Sequence, residues 1–166
     1  MNQAQGAIDA ARAAGADEYA PTEMAAATDA LRRSEEAVAQ KDYRLALSLA
    51  IDSRTQAQNA AKRAVDARAN ARGETERAIS EVSTLLTHAR DRLKDPALAK
   101  VPRRTLQGPR STIAQADKTM QEARAALKAG DHARATALAQ GLTKRVQAAL
   151  NAIDAAATPP APRRRR

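Results

Sequence analysis

The chain has 166 residues and a formal net charge of +9, with 44 alanines, 23 Leu, Ile and Val taken together, two Tyr, and no Phe, Trp or Cys. So few large apolar side chains exclude a wide globular core, since alanine buries little area, and the missing cysteine excludes disulfides and thiolate chemistry. Alanine is the strongest helix former and the charge is small for the length, so the composition predicts an all-α, elongated, thinly packed protein of one or two small domains.

Taken in chain order, the first residues carry no basic cluster and no apolar run of seven follows. As written, the sequence shows neither a signal peptide nor a membrane span. The expectation is a cytosolic protein or a chain from which a processed segment has been removed. A first helix is predicted from about Gln3 to Ala16. Tyr19 to Glu23 then reads as a break, with the residue before Pro21 held extended and Thr22 as N-cap. Pro21, Pro96, Pro102 and Pro109 are taken to bracket the helical stretches.

Beyond the break, Met24, Ala27, Leu31, Ser34 and Val38 follow a 3,4 spacing, a heptad-like seam. After Asp42, a candidate N-cap, the seam resumes at Ala46, Ala50, Ser53, Ala57, Ala60 and Ala64 and continues through Ala67, Ala71, Ala78, Val82, Leu85 and Ala89. This predicts one long central helix reaching Lys94. Shifting the sequence by 89 positions reproduces the pattern. Ile113, Ala116, Met120, Ala123 and Leu127 match the first seam; Ala135, Ala139, Leu142, Val146, Ala149 and Ile153 match the second. Asp131 stands for Asp42 and His132 for Tyr43. The expectation is a two-fold internal repeat of a helical hairpin, coiled-coil-like in its packing. Gly130 can take the left-handed C′ position in the second turn; the first turn, Gln40-Lys41-Asp42, has the cap without the glycine. The predicted organisation is an N-terminal helical unit, residues 1–95, with its turn near 40–42; a C-terminal hairpin, 96–157, with its turn at 129–131; and a Pro/Arg-rich tail, 158–166.

Candidate chemistry is sparse. The two histidines, His88 and His132, stand alone, no metal-ligand spacing occurs, and the six glycines are scattered singly rather than grouped as a phosphate loop. Carboxylate pairs such as Glu35-Glu36 lack the apolar surroundings that would raise a pKa. No catalytic residue, cofactor or metal is predicted, and the chain reads as no enzyme. Tyr19, Pro21, Asp42, Tyr43, Gly130, Asp131 and His132 are assigned to turns and joints, with both tyrosines expected to pack there.

Two resemblances follow from these residues. The hairpins, with small residues where helices cross, resemble tetratricopeptide-type helical pairs, although the Trp, Gly-Tyr and Pro positions of that repeat are not all present. The run Ala10-Ala11-Arg12-Ala13-Ala14-Gly15-Ala16-Asp17-Glu18-Tyr19-Ala20-Pro21, then Ala30-Leu31, then Lys41-Asp42-Tyr43-Arg44-Leu45-Ala46, resembles a bacterial family of small helical domains of unknown function. These occur in cell-envelope lipoproteins and are sometimes joined to an OmpA-like peptidoglycan-binding domain. The resemblance covers about 65 residues; the lipobox cysteine is absent and no OmpA-like domain follows. It implies a non-enzymatic protein of the periplasm or exterior and supplies no catalytic residues. The bare sequence also leaves a cytoplasmic location open.

Charge is uneven. Residues 1–42 carry four basic and eight acidic groups, while Arg90, Arg92, Lys94, Lys100, Arg103, Arg104 and Arg110 crowd one stretch and Arg163, Arg164, Arg165 and Arg166 end the chain. An acidic front and basic rear on stacking hairpins predict self-association, as a homo-oligomer or, where contacts do not close, a filament or tube. The alternative is a basic helical protein that binds nucleic acid or another polyanion through these residues. Against that alternative stand the missing aromatics on which single-stranded bases stack.

Overall fold

The computed structural model describes residues 1–158. Among them are six α-helices and no strand: α1 (Asn2–Ala13), α2 (Ala16–Tyr19), α3 (Pro21–Ala39), α4 (Tyr43–Leu93), α5 (Arg103–Ala129) and α6 (His132–Ala157), with a 3₁₀ turn at Pro96–Lys100. The fold is all-α, with one long helix. No helix among the described residues is long and apolar enough to cross a membrane.

The chain forms two compact units, the first Met1–Asn70 and the second beginning at Ala71. The division drawn from sequence at 95/96 follows the prolines, whereas compaction follows the apolar clusters. The front of α4 packs in the first unit and its rear in the second.

In the first unit, Ala4, Ile8, Ala11, Ala16, Ala20, Met24, Ala27 and Leu31 pack with Ala57, Ala60 and Ala64 of α4. Eight of these eleven are alanine, so helix backbones approach closely with little side-chain bulk between them. Two serines use that closeness. Ser34 donates its hydroxyl to the Ala46 carbonyl and Ser53 donates to the Ala27 carbonyl, each at 2.8 Å and fully buried. The second unit is built differently: Ile79, Val82, Leu86, Leu98, Leu106, Ile113, Met120, Leu142, Val146, Leu150 and Ile153 give it an aliphatic core. There Thr75, on α4, meets Thr136 of α6 hydroxyl to hydroxyl at 2.9 Å.

Several boundaries depart from the sequence reading. The first helix ends at Ala13, because Gly15 turns left-handed (φ 87°) and a separate single turn, α2, follows. Helix α3 starts at Pro21 itself, its fixed φ suiting the first helical position, with Ala20 before it and no side-chain cap; Thr22 lies inside the helix. Pro109 lies within α5 and ends nothing. It removes one bond in the second turn, and Leu106 and Ile113 on either side stay anchored in the core. The seams also drift: Ala37 and Ala126 are buried where Val38 and Leu127 were expected, Ile79 and Leu86 are buried where Ala78 and Leu85 were expected, and Thr75 is buried at a position outside the expected seam. A 3.6-residue helix slips one position against a strict 3.5 repeat.

Seam positions 89 apart share their burial. Met24, Ala27, Leu31, Ser34 and Ala37 are buried, and so are Ile113, Ala116, Met120, Ala123 and Ala126; Ala46, Ala50, Ser53, Ala57, Ala60 and Ala64 are matched by Ala135, Ala139, Leu142, Val146, Ala149 and Ile153. The turns coincide bond for bond. The Asp42 N–H donates to the Ala37 carbonyl at 2.9 Å and Lys41 to Val38 at 2.9 Å; Asp131 donates to Ala126 at 3.0 Å and Gly130 to Leu127 at 3.0 Å. Both are Schellman-type closures, with the residue before each aspartate in the left-handed region: Lys41 at φ 61° and Gly130 at φ 83°.

Candidate interaction surface

Each turn hands over to a capped helix. The Asp42 carboxylate accepts from the Leu45 N–H at 3.0 Å, and Asp131 accepts from Arg134 at 2.9 Å. The first helical residue after each cap has the opposite fate. His132 is 6% exposed at the start of α6, whereas Tyr43, which the sequence reading packs at a joint, is 66% exposed. The reason is the neighbour. In the second unit the rear of α4 lies against α6 at this level, with the Thr75 hydroxyl bonded to that of Thr136. In the first unit α3 packs on the Ala46 side of the start of α4, and among the described residues the Tyr43 and Leu47 face stays exposed. Tyr19 does pack at its joint, against Gly15 and the first-unit core.

Tyr43 is one of a row. Leu47 (64%) and Ile51 (48%) follow it at four-residue spacing on α4, with Val65 (58%) further on. Leu47, Ala50, Ile51 and Arg54 form one wall of an open groove of about 410 Å³ whose other wall is Met1, Asn2, Gln3 and Ala4. Arg54 donates to the Gln3 side-chain oxygen at 2.9 Å and so pins the start of α1 beside it. The sequence reading missed this row because it followed the alanine seam alone; Tyr43, Leu47 and Ile51 form a second stripe beside that seam.

The basic residues divide. Arg90 pairs with Asp117 of α5, Arg92 with Asp154 of α6 and with Asp95, each at 2.5 Å, and Lys94 with Asp91 at 3.0 Å. The hydrogen bond to Asp154, and then its charge, raise the Arg92 pKa further. Arg90 and Arg92 tie helices together, whereas the Lys94–Asp91 pair is local and exposed. Lys100, Arg103, Arg104 and Arg110 are exposed and make no ion pair among the described residues. The first turn of α5 holds Arg103 and Arg104 with no acid beside them. Arg163, Arg164, Arg165 and Arg166 lie outside the described residues. Among the described residues no group of three or more His, Cys, Asp or Glu is placed to hold a metal ion.

What this arrangement offers is surface. It has an apolar row on the first unit, a group of unpaired cations around the start of α5 on the second, and serine-stitched helix contacts beneath the row. No curated protein and no solved structure matches the chain. Residues 1–81, which carry the Gly15–Pro21 and Asp42–Ala46 elements and the whole apolar row, are similar to a family described as a domain of unknown function, DUF4398.

Proposed function

We propose that the chain is a non-enzymatic interaction protein, built from two copies of one helical hairpin, that associates with other polypeptides, copies of itself among them. The observation that carries this reading is the exposed row Tyr43, Leu47 and Ile51 in a chain so short of large apolar side chains. Exposing three of them along one helix face sacrifices core that an isolated protein would use, and contiguous apolar surface of this kind marks contact sites.

Charge supports self-association and gives it a direction. Residues 1–70 carry nine basic and ten acidic groups, a net −1, while residues 71–158 carry fifteen and nine, a net +6. Head-to-tail apposition of unlike units is favoured, and such heterologous contacts extend into filaments unless the rotation closes a ring. The resemblance of the Gly15–Pro21 element to envelope lipoproteins is what supports a place in the bacterial cell envelope or outside the cell.

The second reading, polyanion binding, is favoured by one observation: Lys100, Arg103, Arg104 and Arg110 stand exposed and unpaired near the start of α5, where the positive end of the helix adds to their field. Light scattering or negative-stain microscopy at low and high salt separates the two. Large regular particles support self-association. A protein that stays monomeric at high concentration, yet retards DNA or heparin in a salt-dependent manner, would overturn the first reading in favour of the second.

A further inference from the structure

We propose that the second unit lies against anionic phospholipid headgroups through one face of α5, the row Arg103, Arg110, Arg124 and Lys128. This rests on the polyanion reading above, and it names the polyanion and the face that meets it.

The cations of α5 extend well past its first turn. With the pitch of an α-helix, Arg103, Arg110, Arg124 and Lys128 fall within an arc of about 60° and span about 38 Å. All four are exposed, and none has an ion-pair partner among the described residues. Between them on the same side stand Gln107, Ala114, Asp117 and Gln121. Asp117 is the one acid of the row, and Arg90 of α4 holds it, so it leaves the face no net negative charge. Helix α3 of the first unit is arranged otherwise: Arg32 is shared by Asp29 and Glu36, and the signs cancel locally.

The kind of partner follows from what this face lacks. The exposed large apolar side chains, Tyr43, Leu47 and Ile51 among them, all belong to the first unit, and the second unit exposes none among its described residues. A protein interface is built around a desolvated apolar centre with charge at its rim. The α5 row has the charge without the centre, so it suits a partner recognised by charge alone. Gln107 and Gln121, between the cations, add amide N–H donors for phosphate oxygens.

A lipid surface fits the row better than a nucleic acid. Both tyrosines lie in the first unit, so this face has no ring on which the bases of a single strand would stack. A duplex carries its phosphates around a rod, and a row of this length meets them only where a strand crosses it. Phospholipid headgroups offer phosphate along the whole row and diffuse sideways to gather beneath each cation. Near such a surface each Lys or Arg strengthens binding about fivefold. With no large apolar side chain to insert, the contact depends on anionic lipid and weakens as salt rises.

The test is co-sedimentation of the full chain with vesicles of phosphatidylcholine alone, or of phosphatidylcholine and phosphatidylglycerol in a two-to-one ratio. The wild type is expected to bind the mixed vesicles, to ignore the neutral ones, and to be released by salt. Arg110→Gln combined with Arg124→Gln should lower the partition about 25-fold, with an unchanged melting temperature. Arg134→Gln combined with Lys144→Gln removes the same charge from exposed positions on α6 and should lower it no more than about threefold, the long-range share of the field. Equal binding to neutral and mixed vesicles, or equal losses in the two double variants, overturns the proposal. If no vesicle binds but heparin or duplex DNA does so in a salt-dependent manner, the proposal falls while the polyanion reading stands. If none of them binds, both fall.

Discussion

Ser53 hands its hydroxyl hydrogen to the carbonyl of Ala27, 26 residues earlier in the chain, at 2.8 Å and out of reach of water. Ser34 returns the arrangement to Ala46, so α3 and the front of α4 are stitched in both directions across a seam of alanines. The equivalent positions 89 residues on are Leu142 and Ala123. The two units thus solve the same packing problem once with hydrogen bonds at close range and once with aliphatic bulk.

Ser53→Ala is expected to cost about 1 kcal/mol, because the Ala27 carbonyl keeps its bond within α3 and only the cross-helix bond disappears. For a chain of this length that lowers the melting temperature by about 2–4 °C. Ser53→Leu, which installs the residue of position 142, should cost about 1–3 kcal/mol through overpacking. Thermal melts by circular dichroism check both; a Leu variant as stable as wild type would mean that the seam is loose.

The same contrast holds one turn further on. Ala57 and Val146 occupy equivalent positions and both are fully buried. Ala57→Val is expected to destabilise by about 1–3 kcal/mol because α1 and α3 leave no room. Val146→Ala should cost about 2 kcal/mol because it opens a cavity in the aliphatic core. Denaturant unfolding of each variant gives the values, and both variants are destabilised only if the units differ in depth as described.

Lys41 holds a left-handed conformation that Gly130 holds in the other turn. An L side chain costs about 1 kcal/mol there. Lys41→Gly should therefore stabilise the chain by about 0.5–1 kcal/mol, and Gly130→Ala should destabilise it by about 1 kcal/mol. Melting temperatures moving in opposite directions are the expected outcome.

Much of this architecture was legible in the sequence. Asp42 and Asp131 announce their helices because a short acceptor before an apolar run has one preferred use, and the 3,4 spacing of Met24, Ala27 and Leu31 fixes a buried face. What was not legible follows from geometry beyond the local pattern. The strict spacing chose Val38 and Leu85, whereas a 3.6-residue helix buries Ala37 and Leu86. Pro109 reads as a stop until Leu106 and Ile113 on either side are seen in one core. Tyr43 and His132 look interchangeable, yet one is open and one covered, since that depends on a helix far away in sequence. The candidate surface was half seen: Arg103 and Arg104 by charge, Leu47 and Ile51 not at all.

If the polyanion reading has any share in the function, it rests on Arg103 and Arg104 rather than on Arg90 and Arg92, whose guanidinium groups are held by aspartates. Replacing Arg103 and Arg104 by alanine should lower the salt needed to elute the protein from heparin. The salt slope of binding should fall by about one for each anionic group that the variant no longer neutralises. Replacing Arg90 by alanine should leave elution nearly unchanged. Equal effects would remove the distinction between paired and unpaired cations.

The central claim, that this chain exists to contact other chains, is tested most directly by the solution mass of the full protein, measured by light scattering behind a sizing column as concentration rises at low salt. The account predicts a mass that climbs above the 17.6 kDa of one chain and falls back toward it when salt screens the unlike units. A mass that stays at one chain across the whole range, at low salt as at high, would contradict it.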